Sequence, residues 1–196
     1  PKGVGALYCR RRNPRVRLNP VLFGGGHERG FRSGTLNVPG IVGFGKACEI
    51  AVAEREEEVT RVSGFRDLLL SEITSALDGV TRNGHPTETL PGNLNLSFAG
   101  VDGMEILQGL PGIALSLGSA CMSAVPEPSR VLRAIGVSPE LAGSSIRFGI
   151  GRFNTEEEIR RTAARVKEVV LRLREEGRAG DDSDEGDAPC LLRPGV

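Results

Sequence analysis

Cys121 stands in the run Gly118-Ser119-Ala120-Cys121-Met122-Ser123, where a nucleophilic side chain falls in a loop built to move. Small residues lead into it and Val125-Pro126-Glu127-Pro128 follow, so the approach is pliant and the exit stiff. A thiol placed there, off the end of an expected strand, is exposed and free to travel, whereas an inert structural cysteine is normally buried. The spacing also allows a plainer reading, a small hydrophobe closing the end of a strand.

Two other segments carry chemistry-bearing side chains. The stretch Gly24-Gly25-Gly26-His27-Glu28-Arg29-Gly30-Phe31-Arg32-Ser33-Gly34-Thr35 combines glycines, which let backbone N–H groups approach an anion, with Arg, Ser and Thr donors suited to phosphate oxygens. It lacks the Gly-Lys-[Ser/Thr] ending of a P-loop, and a flexible hinge with solvated arginines satisfies the same pattern. Arg147 is the single charge in Ser145-Ile146-Arg147-Phe148-Gly149-Ile150. Its planar guanidinium suits a carboxylate; a snorkelling surface residue or half of an ion pair are the other readings.

The elements that must position these groups follow from periodicity. Pro1-Lys2-Gly3-Val4-Gly5 runs directly into Ala6-Leu7-Tyr8-Cys9, which reads as a buried strand with nothing before it to pair with, as in a chain cut out of a larger fold. Residues 13–36 form a long Gly-, Pro-, Asn- and Arg-rich connection. Helical spacing runs from about Pro39 to Ser75, with Gly64 marking an expected break into two helices and Glu54 to Glu58 a solvated face. Strands are predicted at Asn93–Phe98, Ile113–Leu117 and Ile146–Ile150, and a short helix capped by Asp102 runs through Leu107. A further helix covers Pro128 to Ile135, with Pro in its first turn and Gly136 as its stop. Asn154 or Thr155 caps a last helix whose first turn holds Glu156, Glu157 and Glu158 and whose apolar stripe is Ile159, Ala163, Val166, Val169, Val170 and Leu173. From Glu175 onward the acidic, Gly-bearing tail is expected to be disordered.

Composition sets the outer limits. Of 196 residues, 39% are hydrophobic and 26% charged, as in a globular protein of one domain or a domain and part of another. With one Tyr and no Trp, the core must rest on aliphatic side chains. The net charge of zero argues against nucleic-acid binding across the surface. Four cysteines without C-x-x-C spacing, and only two histidines, argue against a structural zinc site. No apolar run is long enough to span a bilayer and no signal peptide opens the chain, so a reducing cytoplasmic setting is expected, with no membrane partner.

Taken together, the Gly24–Thr35 stretch, the Cys121 run with Glu127-Pro128-Ser129-Arg130-Val131-Leu132, and Ser144-Ser145-Ile146-Arg147-Phe148-Gly149-Ile150-Gly151-Arg152-Phe153 resemble the cysteine desulfurases. The similarity runs from Pro1 to about Leu173, and the length of the Cys loop resembles the branch serving iron–sulfur cluster assembly. The resemblance implies an α/β fold of the pyridoxal-phosphate (PLP) transferases, fold type I. Residues 1–36 would be the end of the PLP-binding large domain, 37–64 a bridging helix, 65–174 the small C-terminal domain and 175–196 a tail. It further implies that Cys121 is the nucleophile that takes sulfur from PLP-bound L-cysteine, becomes a persulfide and releases alanine.

On the same resemblance Arg147 holds the substrate carboxylate, and Thr35 reaches across a homodimer to the PLP phosphate of the other subunit. The persulfide passes to an iron–sulfur scaffold or another acceptor protein, so Cys121 could also touch a nascent cluster, the only metal contact implied. The family's Schiff-base lysine is expected upstream of Pro1, since Lys2 belongs to the Pro-Lys-Gly that follows it and Lys46 and Lys167 lie in helices. The acidic stretch from Asp181 to Val196 departs from the tail that the scaffold-assembly branch uses in docking. Selenocysteine lyase activity, and a truncated, non-catalytic remnant or interaction module, are the alternatives left open.

Overall fold

The computed structural model describes residues 2–117 and 129–178 with their side chains and residues 179–184 by backbone alone. Cys121 and Cys190, and with them the expected Cys loop and the end of the acidic tail, lie outside the described residues. The chain divides into two units, Pro1–Glu56 and Glu57–Val196.

In the first unit the strand expected at Ala6–Cys9 does not form. Leu7 and Tyr8 are 79% and 86% exposed, and the backbone bond nearest them is a turn, Val16 N to Arg10 O at 2.9 Å. A strand is a shared structure: without a neighbouring ladder, apolar alternation gives its N–H and C=O groups no partners. Residues 13–36 are a loop broken only by a 3-10 turn at His27–Gly30. Helix α1 (Val38–Ala76) then begins where Asn37 caps it. The Asn37 carbonyl accepts from Ile41 N at 2.9 Å and its side-chain oxygen from Gly40 N at 3.1 Å, while Pro39 sits where no donor is required.

Helix α1 is continuous through Gly64, contrary to the expected break. A glycine inside a helix costs about 1 kcal/mol. Burying Val62, Leu69 and Ile73 in the second unit outweighs that, because each such side chain contributes roughly 1.5–3 kcal/mol.

The second unit is built on a four-stranded antiparallel sheet. Its strands are β1 (Val80–Arg82), β2 (Asn93–Phe98), β3 (Ser116–Leu117) and β4 (Ser145–Gly149), in the order β1-β2-β4-β3. Between them run α2 (Gly103–Gly109), α3 (Arg130–Ala134) and α4 (Pro139–Gly143), and α5 (Glu156–Asp184) closes the unit. Alternation sends Leu94, Leu96 and Phe98 of β2 and Ile146 and Phe148 of β4 into one core with Leu69 and Ile73 of α1 and Ile159, Ala163, Val166, Val169 and Val170 of α5. The expected stripe on α5 is therefore the face that packs.

Caps set most of the boundaries. Asp102 accepts from Met104 N and Glu105 N at the start of α2, and Ser129 accepts from Leu132 N at the start of α3, whose exit passes through Gly136 at φ +89°. At α5, Thr155 Oγ1 accepts from Glu158 N at 3.3 Å and Glu158 Oε2 accepts from Thr155 N at 3.1 Å, a reciprocal capping box. Helix α5 runs nine residues beyond Glu175 to Asp184, where a tail was expected. Leu171 to Glu176 are good helix formers, and Arg172 pairs with Glu176 one turn on at 3.4 Å.

β3 is shorter than the predicted Ile113–Leu117. Ile113 N donates to Leu110 O at 3.2 Å and Gly112 takes φ +86°, so a turn uses the backbone that the ladder would need.

Candidate functional site: the polar face of the sheet

The alternation that buries Leu94, Leu96 and Phe98 turns Asn93, Asn95 and Ser97 to the opposite face, and β4 adds Ser145 and Arg147. Register then decides who meets whom. Asn95 and Ser116 both lie directly across from Arg147, one on each neighbouring strand, and Ser97 lies across from Ser145. A row Asn95–Arg147–Ser116 thus crosses three strands on one face.

Arg147 is exposed, and its Nε donates to Ser116 Oγ at 3.1 Å. No carboxylate pairs with it among the described residues, so the ion-pair reading of this side chain is not realised there. With Nε engaged, the two terminal nitrogens remain as parallel donors, the arrangement that grips a carboxylate with two bonds. β4 is fixed behind it by the loop that follows. Arg152 pairs with Glu58 of α1, and Arg61 donates to the backbone oxygens of Arg152 and Asn154 while lying 5.3 Å from the Phe65 ring centroid.

Beside this row is a polar cluster that periodicity did not single out. Asn83 Nδ2 is 2.7 Å from Asn95 Oδ1, 2.7 Å from Ser97 Oγ and 3.3 Å from Ser145 Oγ. Ser97 and Ser145 oxygens are 2.8 Å apart, and Ser145 Oγ donates to Leu141 O of α4 at 2.7 Å. Both serines are buried, and no buried side-chain N or O among the described residues lacks a partner. The signal was present in Asn-Leu-Asn-Leu-Ser-Phe, which places three polar residues on one face. The partners Asn83 and Ser145 arrive from distant sequence.

In the first unit the Gly24–Thr35 loop turns two of its candidate donors, Arg32 and Ser33, on itself. Ser33 is buried, and its hydroxyl donates to Gly25 O at 2.5 Å; Arg32 NH1 donates to Gly34 O at 3.3 Å. Gly24 and Gly34 take φ of +144° and +108°, a backbone that a side chain would strain. Thr35 is exposed, and its hydroxyl makes no hydrogen bond among the described residues. Arg147 and Thr35 belong to different units, and Cys121 lies outside the described residues. Leu117, paired with Ile146, and Ser129, the cap of α3, are the described residues nearest its loop.

Other features suit a carboxylate ligand less well. A cleft of about 550 Å³ is walled by Asp102, Glu105, Glu140 and Glu176, charges that would repel an anion. No cluster of three or more metal-ligating side chains occurs among the described residues, and no helix of theirs is long and apolar enough to cross a membrane. Cys9 and Cys48 are free thiols, the first with its Sγ 3.5 Å from Val16 O.

Known proteins share this sequence and fold. The sequence profile of the aminotransferase class-V family matches residues 1–162. A cysteine desulfurase IscS of Anaeromyxobacter sp. (strain Fw109-5) is 57% identical over 175 residues, which are 89% of this chain and 43% of that protein. The cysteine desulfurase of Homo sapiens is 54% identical over 89% of this chain and 38% of its own. A solved NifS-like protein aligns with a TM-score of 0.69 at 34% identity, over 81% of this chain and 40% of that one. The chain therefore spans about two-fifths of the length of the relatives it matches.

Proposed function

Because the chain belongs to the aminotransferase class-V family, we propose that it is part of a cysteine desulfurase, removing sulfur from L-cysteine with PLP as cofactor. The observation that carries this reading is Arg147: an exposed guanidinium, oriented by Ser116 and paired with no carboxylate among the described residues, on a sheet whose described strand residues include no acidic side chain. The substrate of such an enzyme brings a carboxylate, which Arg147 would take. The identity to cysteine desulfurases supports the choice of reaction.

In this reading Cys121 is the nucleophile. Its thiolate sulfur bonds to the substrate sulfur while the substrate C–S bond breaks; the carbon keeps the electron pair and gains a proton, leaving L-alanine and a Cys121 persulfide. PLP, when bound, supplies the electron sink for that bond cleavage. From this chain, the exposed hydroxyl of Thr35 would hold its phosphate, across a homodimer interface. Lys46 pairs with Glu49 at 2.9 Å on the surface of α1 and is not a candidate for the cofactor's amine partner. The persulfide sulfur would pass to an iron–sulfur scaffold or another acceptor protein, where Cys121 would meet a nascent cluster. A cytoplasmic location suits the free thiols Cys9 and Cys48.

The test is Cys121→Ser in the complete enzyme. Release of sulfide and alanine from L-cysteine should be lost while the visible absorbance of the bound cofactor is retained. Sulfide release surviving the substitution would overturn the assignment.

A further inference from the structure

Asn95 faces Arg147 across the β2–β4 ladder, and what its amide presents there is dictated by a chain of hydrogen bonds with one proton order. The Leu141 carbonyl can only accept, so the Ser145 hydroxyl donates to it at 2.7 Å. Ser145 Oγ then has only lone pairs to offer, and Ser97 donates to it at 2.8 Å. Both hydroxyl protons are now committed. Asn83 approaches those two oxygens at 2.7 and 3.3 Å, and since each can only accept from it, the group that Asn83 turns to them is its amide nitrogen. The Asn95 atom 2.7 Å from the same nitrogen must then be its oxygen. Amide oxygen and nitrogen are thereby assigned by the network. Asn95 Nδ2 is left pointing out of it, with two protons and no partner among the described residues.

We propose that Asn95 Nδ2 is a second donor to the substrate carboxylate held by Arg147, and that the Asn83–Ser97–Ser145 chain keeps it a donor. The inference rests on the carboxylate role of Arg147 argued above. Directly opposed residues on neighbouring strands have Cβ atoms about 4.5–5.5 Å apart, so both side chains reach one small group. A carboxylate has two oxygens with about four lone-pair sites, enough for the guanidinium and for the amide. Were the amide reversed, its oxygen would face the anion and repel it. The proton order set at Leu141 thus decides whether this position attracts or rejects the ligand. Asn95 is the residue in contact with substrate; Asn83 acts through it and is a positioning residue. The pair selects amines that carry a carboxylate over those that do not.

The experiment uses the complete enzyme loaded with cofactor and follows the binding of L-alanine, the product, and of ethylamine, the same amine skeleton without the carboxylate, by the change in cofactor absorbance. KM and kcat for L-cysteine are measured alongside. Asn95→Ala should weaken L-alanine roughly 10-fold and raise KM for L-cysteine similarly, with ethylamine unchanged, as for a lost bond to a charged group. Asn95→Asp, which keeps the shape, should weaken L-alanine further and serves where truncation loosens the sheet. Asn83→Asp should reproduce the loss without touching substrate, because acceptor oxygens at that position draw the Asn95 nitrogen inward. If Asn95→Ala and Asn95→Asp leave L-alanine and L-cysteine unaffected while Arg147→Ala weakens both, the inference is wrong and the proposed function stands. Equal weakening of L-alanine and ethylamine would make Asn95 merely structural and also overturn it. If Arg147→Ala has no effect either, the carboxylate role of Arg147 falls as well.

Discussion

Arg147 Nε donates to Ser116 Oγ at 3.1 Å across the β3–β4 ladder, and that bond leaves the two terminal nitrogens of the guanidinium to a ligand. β3 contributes two described residues to the sheet, and one of them is used to orient the residue on which the proposed substrate recognition depends.

Substitutions on this pair should therefore separate binding from orientation. Arg147→Ala removes a charge-assisted contact and should weaken L-cysteine by about 1.5–3 kcal/mol, roughly 10- to 100-fold in kcat/KM. Ser116→Ala leaves the charge but frees the fork, and should cost about 0.5–1.5 kcal/mol through KM. Steady-state kinetics on the complete enzyme decide it: wild-type KM in Ser116→Ala would make the bond incidental.

Acid should loosen the start of α5. The backbone N–H of Thr155, then the Asn154 side chain, and more weakly Arg161 hold the Glu158 carboxyl below the ordinary glutamate range, against an opposing effect of burial. A depressed carboxyl stabilises the fold fully above its unfolded-state value, and that stabilisation is lost as pH falls through the lower folded-state value. Glu158→Gln should accordingly melt below wild type at about pH 7, and the two melting temperatures should converge by about pH 2. A gap that persists in acid would place the effect in packing instead of charge.

Two glycines should respond in opposite directions to the same change. A Cβ on Gly92 would overlap the Ile150 carbonyl oxygen and come within 3.1 Å of Val62 Cγ1, where Gly92 O also accepts from Ile150 N at 2.8 Å. Gly92→Ala should destabilise by about 1–3 kcal/mol. A Cβ on Gly64, inside α1, meets nothing within 4 Å, so Gly64→Ala should stabilise by up to about 1 kcal/mol. Urea midpoints on the two variants measure both, and a loss of stability in Gly64→Ala would contradict the open helix face.

Much of the fold was legible because its signals are local. The period of 3.6 in Ile159 to Leu173, the Asp102 and Thr155 caps, and the period of 2 in Asn93–Phe98 each involve residues a few positions apart. Elements that depend on a distant partner were read less well. β1, three residues long, exists because Val80, Thr81 and Arg82 pair with Phe98, Ser97 and Leu96, and α4 begins at Ser138 and Pro139 without an apolar run to announce it. The strand expected at Ala6–Cys9 had the pattern but no ladder to join, and Gly64 had the composition of a break without enough energetic penalty to make one.

The sequence by itself determined the family and most helix boundaries and pointed to Cys121, Arg147 and Thr35 as candidate site residues, since motifs and caps are written in consecutive positions. Only the tertiary structure decided that Ser33 turns inward while Thr35 stays open, that Arg147 is oriented by Ser116, and that Asn83 fixes the amide of Asn95. These are matters of register and hydrogen-bond direction. Ser33 and Thr35 belong to a loop of the first unit. For Asn95, Arg147 and Ser116 both are set by strands brought together from distant positions, where a shift of one residue would carry each of these three side chains to the opposite face.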